Sequence, residues 1–254
     1  EGSKELLSQT KYTQPALFAA SVAGYEAFKT YGVKVDAFAG FSLGEYAALT
    51  ASGVLNLEDC LRLVKKRGEW MAEAVPSGGG MAAVIGDYKD LLMEISKTIK
   101  IELVNFNSPV QTVIAGMNDD LEKAYEVLKE NKIKVIPLAV SGPFHSSYMN
   151  DVANKIEKEL KNYSIKNPST PIVSNVTGDY YANDNIVSLI SKQVKSPVKW
   201  VDTIQKLISD GFDTFIEIGA GKTLCGLINK IDKNVRTFNV QDKQTLEYTV
   251  SEVK

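Results

Sequence analysis

One five-residue turn constrains this chain more than any other feature. Gly40-Phe41-Ser42-Leu43-Gly44 stands between a short apolar run over residues 35–39 and a helical stretch over 45–52 that Gly53 closes. A strand that becomes a helix within five residues must bend sharply, and the flanking glycines keep side chains out of the bend. A strand followed at once by a helix belongs to a parallel sheet buried under helices. The same alternation recurs elsewhere. Helices are predicted near 14–31, with Pro15 in the first turn, and over 57–74, capped by Asn56 with Glu58 and Asp59 in its first turn. Further helices are predicted near 147–162, 184–195, 200–210 and 223–231, and strands at 171–176 and 214–218. This is an α/β pattern with a mostly parallel sheet covered on both faces.

One stretch departs from the alternation. It reads strand (81–85), helix (88–99), strand (101–106), an Asn107-Ser108-Pro109 turn, strand (111–115), helix (from Asn118 to about 131) and strand (135–140). The order β-α-β-β-α-β is the ferredoxin-like motif. Residues 79–140 therefore read as an inserted subdomain, and residues 1–78 and 141–254 as the core. Residues 76–80 read as a flexible break, with Gly78-Gly79-Gly80 as a hinge.

The chain has 254 residues and a net charge of −2, so composition points to neither a nucleic acid nor a membrane as partner. No apolar run reaches the roughly 18 residues of a membrane span. Two cysteines, Cys60 and Cys225, are too few for a disulfide scaffold and read as buried thiols in a reducing compartment. The sequons at Asn162 and Asn175 carry little weight without a signal peptide.

At the bend, Ser42 stands at the end of the strand and at the start of a helix whose free N–H groups point toward it. This is the setting of a nucleophilic serine, and the Leu43 N–H is a natural donor to an oxyanion formed there. A serine needs a base. The chain has one histidine, His145, in a Gly-Pro loop after a strand. No acid is evident to orient it. Asp151 reads as a helix charge, and a carbonyl could serve instead. Arg67 falls on the apolar stripe of its helix, with Leu57, Cys60, Leu61, Val64, Gly68 and Met71. An arginine pointing inward needs an anion, either an internal Asp or Glu or a bound carboxylate. Gly219-Ala220-Gly221-Lys222-Thr223 has Ile216 where a phosphate-binding loop needs glycine, and reads as a strand-to-helix turn.

Several segments together resemble the malonyl-CoA:acyl carrier protein transacylases. They are Thr13-Gln14-Pro15-Ala16, residues 40–46, Arg67-Gly68-x-x-Met71, Val104-Asn105-Phe106-Asn107-Ser108-Pro109 and Pro143-Phe144-His145-Ser146. Pro197-Val198-x-Trp200 and Glu217-x-Gly219-x-Gly221-Lys222 complete the set. They run in the family's order over nearly the whole chain. The resemblance implies an α/β-hydrolase-like core with a ferredoxin-like insert. It implies ping-pong transfer of malonyl from malonyl-CoA to Ser42, then to the phosphopantetheine thiol of acyl carrier protein, with no cofactor of the enzyme's own. His145 would be the base, and the main-chain carbonyl of Gln193 would orient it. Arg67 would grip the malonyl carboxylate, and Met71, Phe144 and Asn107 would line the substrate site. Phe144 resembles the malonyl-selective type.

Phe41 stands where the family commonly has histidine. The family also begins with a strand and a Gly-Gln-Gly-Ser-Gln-like loop that gives a second oxyanion N–H, for which this chain has no match. The expectation is that this segment has been removed. Rival readings are an acyltransferase domain of a polyketide synthase, a serine hydrolase, and a non-catalytic remnant that binds carrier protein. The expected protein is a monomer of the bacterial cytoplasm, or of a plastid or mitochondrion.

Overall fold

The computed structural model describes residues 2–74 and 78–254. A short helix α1 (Lys4–Leu7) leads into the long helix α2 (Thr10–Lys29). The helix begins earlier than residue 14, so Pro15 lies inside it rather than in its first turn. The start is set by Gln9, whose carbonyl accepts the Thr13 N–H at 2.9 Å and the Thr13 hydroxyl at 3.0 Å. Pro15 has no N–H for the Lys11 carbonyl. Packing carries the helix through this defect. At Gly68 of α4 (Leu57–Ala74), an added Cβ would lie 3.1 Å from the Lys11 Cα and 3.2 Å from the Thr10 carbonyl oxygen.

Helix α4 starts where expected. The Asn56 Oδ1 accepts the Asp59 N–H at 2.9 Å, satisfying one of the free first-turn donors. Its buried stripe is Cys60, Leu63, Val64, Arg67, Gly68 and Met71. Leu57 and Leu61, expected on that stripe, are exposed instead. Leu63 takes up the inner face, because the 60–63–64–67 spacing follows the helical period and Leu57 overhangs the helix start.

The first strand is shorter than the apolar run promised. Only β1 (Phe38–Ala39) pairs, in parallel with β6 (Ile172–Val173). A second parallel pair joins β7 (Thr214–Ile218) to β8 (Arg236–Val240). The parallel strands thus form two pairs rather than one continuous sheet. A cavity of about 530 Å³ separates them, lined by Phe38, Gly40 and Leu43 on one side and Phe215 and Ile216 on the other. Strand β8 and the helix after it, α11 (Lys243–Val253), were not expected. Asp242 and Thr245 start α11 with a reciprocal capping box.

The antiparallel sheet comprises β2 (Gly79–Ile85), β3 (Ile101–Ser108), β4 (Gln111–Met117) and β5 (Lys134–Pro137), with α5 (Lys89–Thr98) and α6 (Asn118–Glu130) between. Its order, β3-β4-β2-β5, is that of a β-α-β-β-α-β motif. Gly79 and Gly80 are not part of a hinge. They pair with Met117 and Gly116 as the first rungs of β2, while residues 76–77 of the expected break lie outside the described residues. Asn107 and Ser108 belong to β3, which leaves Pro109 and Val110 as the turn.

Alternation buries both faces of this sheet. Ala82, Val84 and Ile114 pack under α5 and α6 with Leu92, Leu121 and Leu128. Met81, Ala83, Val104, Val113 and Ala115 face the other way and join the main core. Two backbone hydrogen bonds stitch β3 to the segment beyond: Val198 N to Val104 O at 2.8 Å, and Phe106 N to Val198 O at 2.9 Å. The remaining elements are α7 (Asn150–Leu160), α8 (Ile186–Lys192), α9 (Trp200–Ser209) and α10 (Thr223–Ile231), with 3₁₀ turns at Ser147–Met149 and Gln193–Lys195. Gly219–Lys222 is the expected strand-to-helix turn. No helix among the described residues is long and apolar enough to cross a membrane.

The turn from β1 into α3 (Leu43–Ala51) depends on one glycine only. A Cβ at Gly40 would lie 2.1 Å from the backbone of Gly44 and Glu45, whereas a Cβ at Gly44 meets nothing within 4 Å. Gly40→Ala should therefore destabilise the protein by about 3 kcal/mol or more. Gly44→Ala should leave stability within about 1 kcal/mol or raise it. Chemical denaturation of the two variants checks this; equal losses would contradict the assignment.

Candidate active site

Ser42 is the N-cap of α3 and has φ 50 and ψ −102. That backbone is strained for any residue with a side chain, by about 1–3 kcal/mol. Asn175, two residues beyond β6, holds it there. The Asn175 Nδ2 donates to the Gly40 carbonyl at 2.6 Å, and its Oδ1 accepts the Ser42 N–H at 2.7 Å. One side chain thus spans the bend on both sides of Phe41. Leu43 is the first residue of α3, so its N–H has no acceptor within the helix and is open to an oxyanion beside Ser42.

His145 also has positive φ, at 61. Its loop is pinned to β3, where the Glu102 carboxylate accepts the Ser147 N–H at 2.9 Å. The His145 Nε2 lies 2.7 Å from the Ser42 Oγ. On the other side, Nδ1 lies 3.0 Å from the Gln193 main-chain oxygen. A carbonyl only accepts, so Nδ1 carries the proton and Nε2 is the bare acceptor for the serine hydroxyl. Burial lowers the histidine pKa to about 4, and the charge of Arg67 adds to the effect. The ring is therefore neutral, and ready to take a proton, across the physiological range. Asp151 is exposed in the first turn of α7, so it is a helix charge and not a third member.

Arg67 is 1% exposed and sits 5.0 Å from the Tyr46 ring centroid. Its Nη2 donates to the Ser42 Oγ at 3.1 Å and to the Gln193 Oε1 at 3.0 Å, and its Nη1 donates to the Gln14 Oε1. All three acceptors are uncharged. Its Nε is buried without a partner. No carboxylate pairs with it among the described residues, so the internal ion pair that the helix phase left open does not form. Burial lowers its pKa. A buried cation matched only by neutral oxygens, beside a serine hydroxyl, has the chemistry to take up an anion.

Gln193 connects these groups. Its main chain receives His145, its Oε1 receives Arg67, and its Nε2 donates to the Ser42 carbonyl at 2.7 Å and to the Glu45 Oε2 at 2.6 Å. Glu45 is fully buried. Its Oε1 accepts the Tyr181 hydroxyl at 2.6 Å and the Asn175 N–H at 3.2 Å.

Met71 is buried one turn beyond Arg67, and its sulfur lies 3.4 Å from the Gln14 Nε2. Phe144 is buried in the same apolar core as Met71. Asn107 stands outside this hydrogen-bond network. Its amide donates to Gln111 at 3.2 Å, and its Oδ1 is buried without a partner. Cys60 and Cys225 are free thiols, as expected. No cluster of potential metal ligands exists among the described residues.

Glu45, Asn175 and Tyr181 join the site without having been singled out in the sequence. The available signal was polar residues within otherwise apolar surroundings. Asn175, for example, follows the apolar run into β6.

A strained strand-to-helix serine, a carbonyl-held neutral histidine and a buried arginine together form an arrangement that can carry acyl transfer. Residues 1–244 match the family described as "Acyl transferase domain". The malonyl CoA-acyl carrier protein transacylase of Bacillus subtilis is 42% identical over 262 residues, covering 100% of this chain and 83% of that protein. The crystal structure of the corresponding transacylase from Clostridium perfringens superposes with a TM-score of 0.94 at 45% identity, covering 98% of this chain and 81% of that one. A solved malonyl-transacylase, in complex with a type II polyketide synthase acyl-carrier protein, gives 0.93 at 35% identity over 99% of this chain and 84% of that one. The chain is an acyltransferase and belongs to the malonyl CoA-acyl carrier protein transacylase family.

Proposed function

We propose that the chain moves a malonyl group from malonyl-CoA to the phosphopantetheine thiol of acyl carrier protein, through an ester on Ser42, in support of fatty acid synthesis. The observation that carries this reading is the buried Arg67 guanidinium, 3.1 Å from the Ser42 Oγ and free of any carboxylate partner among the described residues. A carboxylate at the far end of a short acyl chain supplies the missing charge and sets the thioester carbon beside the hydroxyl.

The chemistry follows from the proton inventory. The His145 Nε2 takes the Ser42 proton as Oγ bonds to the thioester carbon. The carbonyl oxygen becomes an oxyanion facing the Leu43 N–H. When the C–S bond breaks, the departing coenzyme A sulfur takes the proton back from His145. In the second half, the carrier thiol gives its proton to His145 and attacks the ester. Ser42 then leaves with that proton. The Gln193 carbonyl keeps the ring in one tautomer through both halves. In this reading Met71, Phe144 and Asn107 line the acyl site. No cofactor of the enzyme's own enters this scheme. Residues 79–140 form a ferredoxin-like subdomain inserted into an α/β-hydrolase-like core made of 1–78 and 141–254. The acidic carrier docks on a lysine-bearing face near Ser42, and the enzyme acts as a monomer in the bacterial cytoplasm.

Incubation of the full-length protein with malonyl-CoA should add one malonyl mass on the peptide bearing Ser42, and none in Ser42→Ala. Arg67→Ala should cut malonyl loading by about a hundredfold and erase the preference over acetyl-CoA. Unchanged malonyl loading in Arg67→Ala would remove the carboxylate role.

The depressed histidine pKa gives a pH signature. The base is lost when His145 is protonated, so reactivity falls as pH drops through the folded-state value of about 4, rather than through the ordinary value near 6.5. Labelling of Ser42 by a fluorophosphonate, which has no carboxyl group to titrate, should hold constant down to about pH 5 and then fall. Arg67→Ala removes the neighbouring positive charge and should move the midpoint upward. A wild-type midpoint near 6.5 would contradict the buried neutral histidine.

A further inference from the structure

Glu45 has no part in the scheme above, yet it is the most enclosed carboxylate near the serine. It lies on the first turn of α3, three residues after Ser42, and has 0% exposure. Its hydrogen bonds come from neutral donors alone: the Gln193 amide, the Tyr181 hydroxyl and the Asn175 N–H. Burial holds its pKa above the ordinary carboxylate value, and hydrogen bonds from these groups oppose that rise in part. Both oxygens face donors, so the arrangement suits the ionised form.

The key geometry is at the Gln193 amide. An NH₂ group has two hydrogens, and here one goes to the Ser42 carbonyl and one to the Glu45 Oε2. That leaves the amide oxygen for the Arg67 Nη2 at 3.0 Å. Rotating the amide by half a turn would set NH₂ against the guanidinium, and oxygen against both the carboxylate and the carbonyl. Of the two acceptors that prevent this, the carboxylate is the stronger. The same Gln193 receives the His145 Nδ1 on its main chain.

We infer that Glu45 is a positioning residue for acyl selectivity: its carboxylate fixes the Gln193 amide so that the oxygen faces Arg67, and thereby aims the guanidinium at the acyl carboxylate. Glu45 itself touches no substrate in this scheme. The inference rests on the proposed malonyl reading, and it makes Glu45 act through Gln193 and Arg67 rather than on the serine chemistry.

The test compares loading of Ser42 from malonyl-CoA and from acetyl-CoA as kcat/KM, in the wild type, Glu45→Gln, Arg67→Ala and the double variant, with thermal unfolding followed in parallel. Glu45→Gln replaces one carboxylate oxygen with a donor of similar size. It should lower the malonyl-to-acetyl preference by about ten- to a hundredfold, the range for one hydrogen bond to a charged group. In the Arg67→Ala background it should lower that preference no further. Equal losses for both acyl groups, or the same loss of preference without Arg67, would mean a general structural role and overturn the inference. If Glu45→Gln does not fold, Glu45→Asp decides. It keeps the carboxylate but shortens its reach to the Gln193 amide, so the malonyl-to-acetyl preference should fall below that of the wild type and fall no further in the Arg67→Ala background. Retained preference would overturn the inference. A wild type that loads malonyl no better than acetyl would overturn the carboxylate reading, and this inference with it.

Discussion

The backbone at residue 40 has no room for a side chain, and the rest of the site follows from that constraint. With a Cβ excluded there, the chain passes from β1 into α3 in one bend, and Ser42 is forced to positive φ. Asn175 closes the bend from outside by bonding to both of its limbs. The serine is therefore aimed before any substrate arrives. The strain of that conformation is met by contacts from two separate parts of the chain, the β6 side and the Gln193 turn.

The second organising fact is electrostatic. The site holds one buried cation, one neutral imidazole and one buried carboxylate, and neutral amides keep the charges apart. Gln193 stands between Glu45 and Arg67, so neither charge cancels the other by direct pairing. Had Glu45 met Arg67 directly, the pair would have been satisfied and a substrate carboxylate would have had to displace it. A neutral spacer leaves the guanidinium oriented and still unsatisfied. The same positive charge helps to keep His145 deprotonated.

Much of this was legible in the sequence, and the reasons differ by residue. Ser42 was legible because a G-x-S-x-G turn between strand and helix is a local pattern that places its serine without help from distant residues. His145 was legible because the chain offers no second histidine. The inward phase of Arg67 was legible from helical periodicity, although the absence of an ion pair was not, since that depends on distant residues. Gln193 holds His145 through its main chain, which leaves no trace in residue type, so only family resemblance pointed to it. Asn175 stood only as a sequon of little weight, and Glu45 only as one residue of the 40–46 segment with no role of its own. Both act through contacts more than 100 residues apart in sequence. Short strands were the weak point of the fold reading. The apolar run at 35–39 pairs over two residues only, and β8 was overlooked because five mixed residues carry little period-two signal.

The antiparallel sheet has a consequence for how substrate gets in. One of its faces carries Met81, Ala83, Val104, Val113 and Ala115 into the main core, and β3 is bonded through Val198 to the segment just after Gln193. Swinging this layer away would wet five apolar side chains and break two backbone hydrogen bonds at once. Admission to Ser42 by large-scale opening is thus energetically remote.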